Sequence, residues 1–299
     1  MSLAIQSGAD RLRKKTIVKG CILGPSGIGK TSQLWTLDPK TTLFVDLEAG
    51  DLAVDKWAGD RLDLFAEAQR LGLPVWEAAR SLACWIGGAS PLAMDETQAY
   101  SGAHYQYVCE LFGDPSSLDK YETIFIDSIT VASRSCFAWC KVQPAAMSEK
   151  TGKPDTRGAY GLLKQEMVAW LTQLQHVNKN IWMVGILDKT TDDFNRTIYA
   201  PQIEGSGTIN ALPGIFDQLI SMVEIADSEG KKFRAFVCHT LNQWGYPAKD
   251  RSRCLDTLEP PDLGALMAKI ANGNPGAPSL NLSMPAGSAA AAVNEGQSS

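Results

Sequence analysis

The sequence has seven cysteines, at positions 21, 84, 109, 136, 140, 238 and 254, but no CxxC pair, and its three histidines stand singly. No zinc-site spacing results. Cys136 and Cys140, four apart in an apolar run, read as small core residues. No apolar stretch approaches membrane-spanning length, and the opening MSLAIQSGADRLRKK lacks a signal-peptide core. The expectation is therefore a cytoplasmic protein in a reducing compartment, with no membrane partner. Positive charge is also in short supply: 28 Lys and Arg against 33 Asp and Glu give a net charge of −5. No global basic field advertises nucleic acid, so any such contact has to come from a local patch or a built assembly. Internal repeats are absent. What remains, 299 residues with 44% apolar and 20% charged side chains, suffices for one large α/β core.

Along the chain, residues 1–15 read as a polar, basic lead-in. TIVKGCILG (16–24) reads as a strand and the residues from about Lys30 to Leu37 as a helix. TTLFVDLEAG (41–50) is a second strand, and residues 55–83 have helical spacing. AHYQYVCELF (103–112) reads as a helix, YETIFIDSIT (121–130) as a buried strand followed by a helix to about Val142, and 143–158 as a loop. A helix at 159–177, a strand at 180–187, a polar hairpin around 188–208, strands at 219–226 and 231–239 and a helix at 261–271 follow. From 273 to 299 the sequence is low in complexity and reads as a disordered tail. The core is then 16–272: an α/β fold with a mostly parallel central sheet, flanking helices and antiparallel edge strands. In such sheets ligands belong at the carboxyl ends of the strands.

One motif falls at such an end. Gly24, Gly29, Lys30 and Thr31, within Gly24-Pro25-Ser26-Gly27-Ile28-Gly29-Lys30-Thr31-Ser32, fit G-x-x-x-x-G-K-[ST] without mismatch. Glycines let backbone N–H groups turn inward on phosphate, Lys30 neutralises β/γ oxygens, and the Thr31 hydroxyl takes a position on Mg²⁺. A chance glycine-rich turn is the competing reading. The placement between an apolar strand and a predicted helix favours the phosphate cradle, hence ATP and Mg²⁺ as ligands. Asp127, closing the apolar TIFID, is the expected partner on the metal side, with Ser128 beside it. A third site candidate lies in TLFVDLEAG, where Asp46 and Glu48 stand two apart at a strand end. Either one polarises an attacking water, or both are solvated strand-end charges.

The order phosphate loop, FVDLEAG, IFIDSIT, loop, helix, strand resembles the core of the bacterial RecA recombinase, and so implies a RecA-like P-loop NTPase fold. By that resemblance Glu48 is the general base, 143–158 and 189–208 correspond to two DNA-binding loops, and GSGTINALPGIF (205–216) echoes the end of the second. Further pieces, DTRGAYG, YPAKDRS and LEPPDL, are similar to a family of AAA-type phage RecA-like ATPases that includes single-strand annealing proteins of the Sak group. This likeness spans 17–271. It implies a phage protein in a bacterial host that hydrolyses ATP, binds single-stranded DNA and promotes annealing or strand pairing. Implied with it are a homo-oligomer, filament or ring, with ATP at subunit interfaces, and a single-stranded DNA-binding protein as partner. Lys249 and Arg251 in GYPAKDRSRC take, by the same likeness, the role of cations lent to a neighbouring subunit's nucleotide; solvated loop charges are the alternative. Candidate DNA contacts are Lys150, Lys153 and Arg157 in the first loop and Lys189, Arg196 and Phe194 in the second, with Tyr199 as a further stacking surface. The acidic balance keeps a second function open, a nucleotide-switched assembly or loader ATPase without DNA contact of its own.

Overall fold

A computed structural model describes residues 3–148, 151–191, 195 and 197–273. The elements, in chain order, are α1 (Gly8–Arg13), β1 (Lys19–Gly24), β2 (Thr42–Asp46), β3 (Asp60–Asp63), α2 (Leu64–Leu71), α3 (Val75–Gly87), α4 (Gly102–Phe112), β4 (Thr123–Asp127), α5 (Ile129–Cys140) and α6 (Thr156–Gln175). β5 (Asn180–Thr191), β6 (Thr197–Pro201), α7 (Ser206–Ile215), β7 (Gln218–Ala226), β8 (Lys232–Val237), β9 (Lys249–Asp250), β10 (Leu258–Glu259) and α8 (Leu263–Asn272) complete them. The sheet runs β10-β8-β7-β1-β5-β4-β2-β3. From β7 to β3 neighbouring strands are parallel, whereas β8, β9 and β10 add antiparallel pairs at one edge and β6 returns antiparallel on β5.

The central strands read as unbroken apolar runs because both faces of the sheet are covered. Side chains alternate between the two covers. Cys21, Leu23, Ile124, Ile126, Ile181 and Met183 join the core under the α2–α7 layer. Ile22, Phe125, Trp182, Ile220 and Phe236 join a smaller core with Leu34, Leu37 and Leu263.

Several boundaries differ from the sequence reading, each for a local reason. The predicted helix from Lys30 to Leu37 is a 3₁₀ turn, Thr31–Thr36. Its three-residue period lines Leu34 up with Leu37, and both are buried. The turn is fixed from outside: Gln33 accepts from Leu263 N–H at 3.0 Å and Thr36 Oγ1 from Gly264 N–H at 3.0 Å. The predicted helix 55–83 is instead a strand and two helices. β3 escaped notice because DRLD is a four-residue edge strand with polar alternation. Asp63 caps α2 through Ala66 N–H at 2.9 Å, and Gly72, at φ 67°, ends that helix two residues before Pro74 opens the next. The loop 143–158 is shorter than read: Asp155 caps α6, which begins at Thr156. The stretch 206–215, noted only for its echo, is the helix α7. Strands β5 and β6 form the expected antiparallel pair; residues 192–194 and 196, between them, lie outside the described residues, as does 274–299. The lead-in contains α1, which buries no residue.

Lys19 starts β1 with its ammonium buried against the carbonyls of Val177 and Lys179. Burial lowers its pKa from 10.5 to about 8, partly opposed by the charge of Asp217. Between those values the unfolded chain holds more protons than the folded one, so this group makes stability rise with pH from about 8 to 10.5. Thermal unfolding of the protein and of Lys19→Met across that window should show the rise in the first and its loss in the second. Parallel curves would contradict the assignment.

Candidate nucleotide-binding site

The loop after β1 is shaped by glycine conformations. Gly27 and Gly29 take φ of 77° and 104°, a region that strains residues with a side chain. Gly24 lies so close to β7 that a Cβ would stand 2.5 Å from the Met222 carbonyl oxygen. Ile28 anchors the loop in the smaller core. Pro25, Ser26 and Gly27 are exposed at the tip, and Ser32 continues into the 3₁₀ turn. Lys30 Nζ donates to the carbonyls of Gly24 and Pro25, each at 2.9 Å. Burial lowers its pKa, while the charges of Asp127 and Glu48 act in the opposite sense. Because the following turn is short and 3₁₀, the loop amides and the Lys30 ammonium, rather than a long helix dipole, would supply the groups that bind an anion.

Strand order brings the carboxylates to the same end. β5 lies between β1 and β4, and β2 pairs with β4 so that Asp46 is level with Asp127. Thr31 Oγ1 donates to Asp127 Oδ2 at 2.5 Å across this gap. Asp127 is buried, which pushes its carboxyl up to about 7; the Thr31 bond opposes the shift and the Glu48 charge adds to it. A proton or a cation relieves that burial. Threonine hydroxyl and carboxylate are hard oxygen donors, and among the described residues no cluster of three or more His, Cys, Asp or Glu forms a complete cage. That donor set fits Mg²⁺, which takes one or two protein oxygens and fills its octahedron with water and phosphate oxygens. Thr31 and Asp127 would hold it, and it would neutralise phosphate charge.

Asp46 and Glu48, alternatives by sequence, have distinct jobs. The Asp46 carboxylate is buried, accepting Glu48 N–H at 2.9 Å and Ala49 N–H at 3.0 Å on one oxygen and the Arg61 guanidinium at 2.6 Å on the other. It is neither a solvated charge nor open to a water; it folds the turn that aims Glu48. Leu47 N–H ties the same turn to the Asp127 carbonyl at 2.6 Å. Glu48 is exposed and accepts a hydrogen bond from Ser128 Oγ. The same hydroxyl caps α5 by accepting Val131 N–H at 3.2 Å, so the strand that supplies Asp127 also fixes Glu48.

A protein-family model described as an AAA domain matches residues 16–252. The chain belongs to the AAA domain family. No curated protein matches it. As an AAA domain of P-loop NTPase type it is a nucleotide-binding protein, and the loop 24–32 with Thr31 and Asp127 is its candidate phosphate site.

The remaining candidates stand elsewhere in this AAA domain. Lys249 and Arg251 flank Asp250, which is in register with Gln218, itself level with Gly20. That is about 13 Å along the strands from Gly24. Lys249 Nζ donates to the carbonyls of Pro213 and Phe216, closing the end of α7. Arg251 pairs with Asp217 at 2.7 Å. Within one subunit these cations support the α7–β7 connection and stand away from their own phosphate loop. Arg253, two residues beyond Arg251, takes φ 59° and so does not continue an extended segment with them. Lys153, Arg157 and Lys189 are exposed, the second in the first turn of α6 and the third on β5. Tyr199 packs against Tyr246 with ring centroids 4.3 Å apart. Lys150, Phe194 and Arg196 lie outside the described residues. The sequence reading missed Arg61, visible only through its pairing with Asp46, and Arg234, whose Nη1 stands 3.4 Å from where a Cβ on Gly29 would be. Among the described residues no helix is long and apolar enough to cross a membrane.

Proposed function

We propose that this AAA domain hydrolyses ATP with Mg²⁺ and, as a homo-oligomer on single-stranded DNA, promotes annealing or strand pairing, as in the phage RecA-like ATPases of the Sak group. The observation that carries the chemistry is the Glu48 carboxylate, held by Ser128 next to the Thr31–Asp127 pair and near enough to Lys30 for its charge to act there. Glu48 takes a proton from water as the water oxygen attacks the γ-phosphorus. The bond from that phosphorus to the β–γ bridging oxygen breaks, leaving ADP and phosphate, and Glu48 returns its proton to solvent. Lys30 and the loop amides offset the charge that builds on the phosphate oxygens.

The DNA part of the proposal is supported by position. Ile186 is level with Gly24, so Lys189 lies on the part of β5 that runs past the carboxyl end of β1. Tyr160 and Leu163, on the α6 face that follows Arg157, pack at Gly205, just beyond β6. Both candidate segments thus border the same connection. Lys249 and Arg251, too far from their own loop, would serve a neighbour's nucleotide in an assembly; the proposal carries with it a bacterial cytoplasmic setting and a single-stranded DNA-binding protein as partner. The test is ATP turnover with and without single-stranded DNA across protein concentration. DNA stimulation that rises steeply with concentration is expected. Turnover indifferent to DNA at every concentration would favour the assembly or loader ATPase, which the net charge of −5 also suits.

A further inference from the structure

Strands β7 and β8 form a hairpin that outruns the phosphate loop. Ser221 is level with Leu23, so everything from Met222 to Ala226 extends to or beyond the point where β1 ends and the loop begins. On β8, Phe236 lies opposite Met222 and Arg234 opposite Glu224. Side chains two apart on a strand share a face, so Arg234 follows Phe236 on the side of the smaller core. That core ends at Met222, and Arg234 emerges above it beside Gly29, where a Cβ would be 3.5 Å from Met222 Cε and 3.4 Å from Arg234 Nη1. Glu224, its cross-strand neighbour, is engaged instead by Lys232 at 3.1 Å. Among the ion pairs of the described residues Arg234 has no carboxylate, and its side chain is exposed.

A guanidinium with no counter-charge among the described residues, held beside a loop built to bind an anion, is solvated on its own and free to pair with that anion. We propose that Arg234 is a nucleotide-contacting residue that reaches the polyphosphate past Gly29 from within the same subunit, so that the β7–β8 hairpin forms one wall of the site. This rests on the reading of 24–32 as a phosphate loop and extends it. The guanidinium suits the role because its planar fork can donate two parallel bonds to phosphate oxygens. Such a contact also ties the antiparallel edge of the sheet to the number of phosphates bound.

Titration of the full-length chain with ATP, ADP and AMP in the presence of Mg²⁺ tests this. Arg234→Ala is expected to weaken ATP binding by about tenfold or more, with a smaller loss for AMP, since one charge-assisted contact is worth about 1.5–3 kcal/mol. Arg234→Lys should recover part of the loss by keeping the charge without the fork. Unchanged melting temperatures in both variants would place the effect in binding rather than folding, as expected for an exposed side chain. ATP affinity within twofold of the unmodified protein in Arg234→Ala, or equal losses for ATP and AMP, would overturn the assignment. If the unmodified chain bound no ATP at all, the phosphate-loop reading itself would fall; if only Lys30→Ala weakened binding, Arg234 alone would be wrong.

Discussion

Replacing Glu48 by glutamine is expected to lower ATP turnover by about 10²- to 10⁴-fold, the usual worth of a positioned general base. ATP affinity should stay within about twofold, because the side chain keeps its size and can still accept from Ser128 Oγ. Steady-state turnover together with equilibrium ATP binding on the same preparation checks both halves. The separation is what matters: a residue that merely shaped the loop would lose binding and turnover together. Glu48 is placed at the end of a relay of local contacts, in which Asp46 folds the turn after β2 and Ser128 steadies the carboxylate from the start of α5. Turnover that survives in Glu48→Gln would take the general-base role away from Glu48.

Lys30→Ala should do the reverse and abolish most of the nucleotide affinity, by on the order of 10²-fold, since the ammonium would make more than one charge-assisted bond to phosphate oxygens. Its cost to the fold should be small. The ammonium is partly buried with a lowered pKa, and among the described residues its bonds are to two carbonyls of its own loop, Gly24 and Pro25. Isothermal titration with ATP beside a thermal melt separates the two effects. Retained affinity would mean that the loop amides alone hold the nucleotide. A collapse of melting temperature would mean that the ammonium mainly secures the loop.

Much of the site is legible in the sequence because its parts are local. The glycine spacing of 24–31 dictates a backbone, and the apolar runs before Gly24 and Asp127 mark strands that end where polar residues begin. The AAA domain match over 16–252 agrees with those marks. What stayed hidden depends on residues distant in sequence. Asp46 and Glu48 look alike two apart on a strand end, and Arg61, fifteen residues later on a short edge strand, together with Ser128 after β4, tells them apart. The 3₁₀ turn at 31–36 reads as a helix from its place after the phosphate loop, but contacts from α8 more than two hundred residues away hold it. Lys249 and Arg251 read as cations lent to a neighbour or as solvated loop charges, and within the subunit they brace the end of α7.

By itself the sequence determined that a strand feeds a phosphate-binding loop, that acidic residues close two neighbouring strands, and that the sheet is buried on both faces. Those are consequences of short-range sterics and of which side chains avoid water. Tertiary structure alone decided which carboxylate is buried on Arg61 and which is left exposed beside Ser128, which cations are engaged within the subunit, and that Arg234 stands beside Gly29. Strand register sets those choices, and register is settled by packing across the whole sheet, where moving one strand by a single residue sends every side chain to the opposite face.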